Sequence, residues 1–481
     1  MTTGAPDDAT AKPTQPRLDP VTAGLQTVLD YVAPQTDGEL ADYIPQLATA
    51  DPNPFGIALV SMAGRKYGVG DCDRPFTIQS ISKAFVYALA VSDLGLDAVL
   101  ERVGVEPSGE AFNAIKLEAG TGRPPNPMVN AGALMTTSLV RAQYPEERLE
   151  RIVACLSAFA GRRLEIDQEV ATSELATASR NRALGYLMEG AGSLREPVEE
   201  VLSVYCQQCA ISVTATDLAV MAATLAAGGV NPVTGDAVVS EDVAVRTQAV
   251  MATCGMYDFS GEWLLRVGLP AKSGVAGGLI AVSPAEFGIG VFSPRLDDRG
   301  NSVRGIAVAR AMADRYDLHL MHHPGEAAPA VYRYELHPGG YQGGATLTIG
   351  AQGSFEFAAT EQLLAAIDAG LQGHPASDEP DHHHGPVPGA APGVSATGAP
   401  TVAPEAPVTG VVLDLHRVTR VEDISSGLVA QRLGALLADG VAIAIVQREH
   451  LKAVLPEADH LTAVANVAEG RAWLAALLDS A

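Results

Sequence analysis

Between Gly373 and Thr409 the chain passes through Pro-Ala-Ser-Asp-Glu-Pro, three consecutive histidines (His382 to His384) and then repeated Gly, Pro, Ala and Thr. Such a stretch holds too few apolar side chains to offset the entropy of ordering it, which predicts a disordered insertion. Whatever this chain folds into must therefore be assembled on either side of that gap. Beyond it, Val411 to Leu415 reads as a buried strand, Gly427 to Leu437 as a helix, Val441 to Gln447 as another strand and Gly470 to Leu478 as a last helix. Before it, Ala345 to Gly350 reads as a strand and Ala359 to Leu371 as a helix. The same alternation on both sides predicts one small α/β domain over residues 330–481, interrupted at about 373–409, and not two separate modules.

The 481 residues are too many for one ordinary core. Residues 1–20 are polar and Pro-rich, without the basic start and apolar run of a signal peptide, and are expected to be a disordered leader. Residues 21–320 form the larger expected domain. Strands are predicted at Gly56 to Met62 and Lys66 to Val69, helical periodicity fills the middle, strands return at Gly278 to Val282 and Gly288 to Phe292, and a helix closes near Ser302 to Tyr316. That order predicts a multi-domain α/β protein whose main sheet is built from both ends of a domain with a helical subdomain inserted.

Charge narrows the function. A net charge of -24, from 56 acidic and 32 basic residues, argues against a nucleic-acid partner or an anionic membrane surface, since either needs a clustered basic face. Apolar stretches such as Asp217 to Gly229 are interrupted long before the ~20 residues of a membrane span, so a soluble protein is expected. Five cysteines are few and odd in number, which points to a reducing cytoplasm and not to a disulfide framework. Cys206-x-x-Cys209 lacks a second pair for zinc and reads as core. The three histidines read as solvated linker, and Gly228-Gly229 reads as a turn, because no Lys-Ser/Thr follows it as in a phosphate loop. Neither a metal nor a cofactor is expected.

Chemistry enters at Phe76-Thr-Ile-Gln-Ser-Ile-Ser-Lys-Ala-Phe85, where Ser80 and Lys83 stand one helical turn apart at an expected helix start. A serine needs a base, and a lysine held neutral by burial is one of the few side chains that can serve. S-x-x-K is the nucleophile motif of serine β-lactamases and penicillin-binding proteins. Asn130 follows two prolines at a predicted helix start, and Glu174 and Asn181, seven apart, are expected on one face of a single helix. Lys272-Ser-Gly274 is the kind of segment that S-x-x-K enzymes place on an edge strand opposite the nucleophile, where its backbone N–H groups can contribute to an oxyanion hole and nearby glycines let the backbone approach a ligand.

Together Gln79-Ser-Ile-Ser-Lys83, Asn126-Pro-Met-Val-Asn-Ala-Gly132, Ser173-Glu174 with Arg180-Asn-Arg-Ala183, Tyr205, Gly255-Met-Tyr-Asp258, Lys272-Ser-Gly-Val-Ala-Gly-Gly278 and Asp42-Tyr-Ile-Pro-Gln-Leu47 resemble the serine-dependent glutaminases over about residues 22–315. The resemblance implies a β-lactamase/DD-peptidase-like domain that hydrolyses L-glutamine to L-glutamate and ammonia. It implies Ser80 as nucleophile, Lys83 as base, and the N–H groups of Ser80 and Val275 as the oxyanion hole. Tyr257 is the first expected proton donor to ammonia, and Tyr43 the second. The substrate's α-ammonium would meet Glu174, and its α-carboxylate Asn130, Asn181 and Tyr205. Dimers or tetramers are the family's habit, and activation by phosphate is left open.

Val411 to Asp423, preceded by Gly353 to Glu361, resembles STAS domains, whose switch loop is of the type Asp-Ser-Ser-Gly. Here the segment reads Asp423-Ile-Ser-Ser-Gly427, with an extra residue after the aspartate, and Ser425 or Ser426 is the candidate for phosphorylation. A regulatory module with a ligand or protein partner is expected. Two other readings stand beside the enzyme: a STAS scaffold whose upstream domain senses glutamine, and a hydrolase of the same fold acting on another amide.

Overall fold

The structure is a computed structural model that describes residues 19–109, 116–322, 329–338, 341–372, 406–446 and 458–477. The leader expected over 1–20 lies outside the described residues apart from its last two. The insertion expected at 373–409 does so apart from 406–409. The chain divides into two units, Met1–His322 and His323–Ala481.

The first unit is organised by an antiparallel five-stranded sheet whose strand order is Lys66–Gly70, Gly56–Ser61, Phe287–Phe292, Gly278–Ser283, Ala271–Ser273. Strands from both ends of the unit lie side by side, with Gly56–Ser61 pairing to Phe287–Phe292. Gly56–Ser61 is apolar at almost every position because both faces of the sheet are covered. Ile57 and Leu59 join a core with Leu25, Val28, Trp263, Val308 and Met312, whereas Ala58 and Val60 face Ala215, Ala219 and Ala223. On that second face the alanine-rich helix Ala215–Ala226 lies almost directly on the strand backbone. A Cβ at Gly290 would stand 2.0 Å from the Ala215 carbonyl oxygen, and one at Gly288 2.2 Å from the Ala223 nitrogen. Only glycine allows that approach.

The helical part packs beside the sheet around Ile78, Phe85, Leu134, Phe159, Leu202 and Met251, all buried. A small sheet of Phe76–Thr77, Ile211–Val213 and Glu165–Ile166 ties the strand before Ser80 to this helical part. The Ile78 amide continues the tie, donating to the Ile211 carbonyl at 2.8 Å. Gln79 and Ser80 are thereby fixed at the seam between sheet and helices.

The second unit holds a sheet ordered Leu461–Val464, Ala442–Val446, Val408–Val421, Ala345–Phe355, Val331–His337, parallel except for the last strand. Helices Phe357–Leu371, Asp423–Ala438 and Val467–Ala476 accompany it. Val331–His337 went unforeseen because all seven positions are half-buried and give no alternation. The segment read as a switch loop is instead the first turn of the Asp423–Ala438 helix, which follows an extended Glu422. Ser425 is buried there and Ser426 half-buried. Among the described residues no helix is long and apolar enough to cross a membrane.

One close contact bears on the seam. Asn126 accepts from the Met128 and Val129 amides at 3.0 and 3.2 Å and so turns the chain into the helix Asn130–Leu139. A Cβ at Gly132 would stand 1.8 Å from the Asn126 carbonyl oxygen. Gly132→Ala is expected to destabilise the first unit by about 1–3 kcal/mol, the usual range for overpacking. Urea denaturation of the variant reads this as a lowered midpoint, and an unchanged midpoint would contradict the packing described.

Candidate active site

Ser80 lies in the middle of a 3₁₀ turn, Gln79–Ile81, that runs straight into the helix Ser82–Leu94. Gln79 reaches that turn with φ at 50°, a left-handed conformation that non-glycine residues adopt at a cost of about 1–3 kcal/mol. Buried polar contacts hold it. Ser82 Oγ donates to the Gln79 carbonyl at 2.8 Å, and Gln208 Nε2 donates to Ser82 Oγ at 3.0 Å.

Nine of the ten positions Ser82 to Val91 on the following helix are buried, so Lys83, one turn beyond Ser80, cannot reach water. Its Nζ donates to Ser80 Oγ at 2.9 Å and to Asn130 Oδ1 at 2.7 Å, both neutral partners. Burial pulls the Lys83 amine down to about 8, with Cys209 and Glu174 opposing. Asn130 is the first residue of its helix, which Val129 and not Asn130 caps. Its amide is free to work across the cleft, and Nδ2 donates to Asn181 Oδ1 at 2.9 Å. Tyr205 on the helix Val198–Cys209 makes a long 3.5 Å contact to Asn130 Oδ1, and burial raises its phenol far above the ordinary range.

Glu174 and Asn181 are brought to the site, but not on one helix face. The chain breaks at Ala178 (φ −75°, ψ 21°) between the helices Gln168–Thr177 and Ser179–Gly190, so the seven-residue spacing does not amount to two turns of one helix. Glu174 turns instead to the Tyr43 and Gln79 side. Tyr43 Oη donates to Glu174 Oε1 at 2.8 Å and Gln79 Nε2 to the same oxygen at 3.0 Å. Burial raises the Glu174 carboxyl and these two donors oppose the rise. Tyr43 exposes 44% of its surface, yet its hydroxyl end is enclosed against Glu174, which keeps the phenol protonated.

Tyr257 closes the other side, also with positive φ, at 58°. Its Oη donates to the Ser273 carbonyl at 3.1 Å and is hydrogen-bonded to Ser80. Burial pushes it up to about 12, with the bonds to Ser80 and Ser273 opposing. Ser273 ends the edge strand Ala271–Ser273. Gly274 then packs so closely on the Ser80 turn that a Cβ there would stand 2.9 Å from the Ile78 carbonyl oxygen, and Val275 follows at the rim, 8% exposed. Cys206 and Cys209 are free, buried thiols on the Tyr205 helix.

Three residues were given no role from sequence. Gln79 was hidden inside the nucleophile motif, Lys272 entered only through its backbone, and Asn301, which accepts from Ser273 Oγ, stands far along the chain. A polar residue immediately before the nucleophile was the available signal for Gln79.

The chain matches the family model described as Glutaminase over residues 38–321. A glutaminase of Microcystis aeruginosa is 54% identical over 283 residues, 59% of this chain and 84% of that one. A glutaminase of Corynebacterium glutamicum is 46% identical over 350 residues, 72% of this chain and 83% of the other. Among solved structures, Mglu in its L-glutamate binding form aligns with a TM-score of 0.77 at 38% identity, covering 92% of this chain and all of that one.

The penalty carried by Lys83 is measurable without reference to activity. A drop from 10.5 to about 8 means that, below pH 8, folding forces a charged amine into a dry site at a cost on the order of 3 kcal/mol. Between about 8 and 10.5 the unfolded chain binds the extra proton, so stability rises with pH across that window and the penalty is gone above it. Lys83→Met is expected to be more stable than the native chain by up to about 3 kcal/mol at pH 7, with the difference shrinking toward pH 10.5. Denaturation curves at several pH values check this, and a destabilised variant at pH 7 would contradict it.

Proposed function

The chain belongs to the glutaminase family and is a glutaminase, and from that premise we propose that it hydrolyses the side-chain amide of L-glutamine through an acyl-enzyme on Ser80. The observation that carries the proposal is Lys83, fully buried between two neutral partners with Nζ 2.9 Å from Ser80 Oγ. A neutral amine so placed accepts the Ser80 proton as Oγ attacks the amide carbon. The developing oxyanion is met by the N–H groups of Ser80 and Val275, the first at the start of a helix whose dipole favours negative charge. As the C–N bond breaks, the Tyr257 hydroxyl passes its proton to nitrogen and recovers the one held by Lys83, so that neutral ammonia leaves. Water then attacks the Ser80 ester with Lys83 again as base, releasing L-glutamate. Tyr43, bonded to Glu174, is placed to hold that carboxylate rather than to reach the leaving nitrogen.

Specificity follows from the substrate's own charges. Glu174 Oε2 faces the α-ammonium, while Asn181 and Tyr205, arranged by Asn130, donate to the α-carboxylate. A compound lacking either group leaves buried polar atoms unpaired and is rejected. The test is ammonia release from L-glutamine beside L-asparagine, D-glutamine and a chromogenic cephalosporin. Only L-glutamine is expected to react well, Ser80→Ala is expected to lose at least about 10³-fold in kcat, and kcat/KM is expected to fall about tenfold per pH unit below pH 8 as Lys83 takes up a proton. Preference for another substrate, or full activity in Ser80→Ala, overturns the proposal.

The second unit is proposed as a STAS-type regulatory module, supported by its mostly parallel sheet with accompanying helices. Within the Ser-Ser pair, half-buried Ser426 is the better placed for modification, because Ser425 is 1% exposed. Deleting residues 323–481 is expected to leave ammonia release near that of the whole chain, since every site residue lies in the first unit. Complete loss would make the unit part of the catalytic fold.

A further inference from the structure

Lys272 is as buried as Lys83, yet nothing in the proposed reaction uses its side chain. Its Nζ donates to the Ser273 carbonyl at 2.7 Å and stands 4.0 Å from the centroid of the Tyr257 ring. A buried amine whose hydrogen-bond partner is a neutral carbonyl is costly, and a leucine or methionine would fill the same space without that cost. Burial and the nearby Lys83 both press Lys272 toward its neutral form, in which it still donates.

The Ser273 carbonyl accepts from two donors, Lys272 Nζ and Tyr257 Oη. Tyr257 sits in a short 3₁₀ turn with a left-handed backbone, and the Ser260 hydroxyl is bonded to its carbonyl at 2.8 Å. A bulky residue persists in such a conformation only where its surroundings over-determine it. Lys272 supplies two of those constraints, one on the ring face and one on the carbonyl that orients the hydroxyl.

We propose that Lys272 is a positioning residue for leaving-group protonation, holding the Tyr257 phenol on Ser80 through its contact with the ring and its bond to the Ser273 carbonyl. The inference rests on the reading of Tyr257 as proton donor. In the step it serves, the amide C–N bond breaks, the Tyr257 proton goes to nitrogen, and the phenolate recovers the proton that Lys83 took from Ser80. No charge is left on the protein, and Lys272 exchanges no proton.

A double-mutant cycle in the full chain tests it, with kcat and KM for L-glutamine measured for Lys272→Met, Tyr257→Phe and the pair. Each single change is expected to lower kcat by about 10²-fold, the usual worth of a positioned acid, with KM little altered. The double variant is expected to be no slower than Tyr257→Phe alone, because Lys272 acts through the hydroxyl already removed. A double variant whose loss is the product of the two single losses overturns the proposal, as does a native kcat in Lys272→Met. Native kcat in Tyr257→Phe overturns the donor reading and this inference with it. A slow Tyr257→Phe beside a fast Lys272→Met overturns the inference alone.

Should Lys272→Met fail to fold, Lys272→Arg is compared on L-glutamine and on the γ-trifluoroethyl ester of L-glutamate, whose alkoxide leaves with less need of a proton. Displacing the donor geometry is expected to slow the amide much more than the ester. Equal losses on both substrates would mean a merely structural role and overturn the proposal.

Discussion

The contact on which the rest of the molecule depends is the one between Lys83 Nζ and Ser80 Oγ, made where water cannot reach the amine. Its chemistry follows from packing. A helix exposed on one side would let lysine extend into solvent and keep its charge. The Ser82–Leu94 helix is covered near its start by the helices Asn130–Leu139, Pro145–Ala160 and Glu241–Cys254. The amine is therefore confined between a hydroxyl and an amide oxygen, and its affinity for a proton falls. The fold spends stability on this arrangement, and a larger core on both faces of the sheet supplies it.

The remaining site residues divide by what they hold in place. Asn130 links Lys83 to Asn181, and Gln79 and Tyr43 clamp one oxygen of Glu174. Two of the left-handed non-glycine residues, Gln79 and Tyr257, flank Ser80 at the seam between sheet and helices. Strain in both, at neighbouring positions around one hydroxyl, is the pattern expected where geometry is fixed for reaction and not for stability alone. Both are held by buried polar bonds to elements distant in sequence, which is why the seam must form as a unit.

Much of this was legible in the sequence, for reasons that differ by element. The strands near residues 56–62 and 278–292 declared themselves by continuous apolar runs bounded by glycine, because both sheet faces are buried. Ser80 and Lys83 stand one helical turn apart in a short motif, whereas Asn130 and Tyr257 took their roles from the family resemblance. What escaped the reading depended on tertiary context. The break at Ala178 carries no proline or glycine to announce it, so Glu174 and Asn181 looked like one face of one helix. The strand Val331–His337, half-buried throughout, had no period to detect. The side chain of Gln79 became informative only when Glu174, distant in sequence, came within hydrogen-bond distance, and that of Lys272 only when the Tyr257 ring packed against its amine.

In the proposed reaction Ser80, activated by Lys83, carries the glutamyl group between the two halves. Acid quenching of the native chain during turnover of L-glutamine, followed by mass spectrometry of the peptide containing Gln79 to Lys83, tests it most directly. A glutamyl ester on Ser80, absent from Ser80→Ala and from unreacted protein, is expected. A glutamyl adduct on any other residue would contradict it, as would incorporation of labelled water into glutamate at full rate by Ser80→Ala.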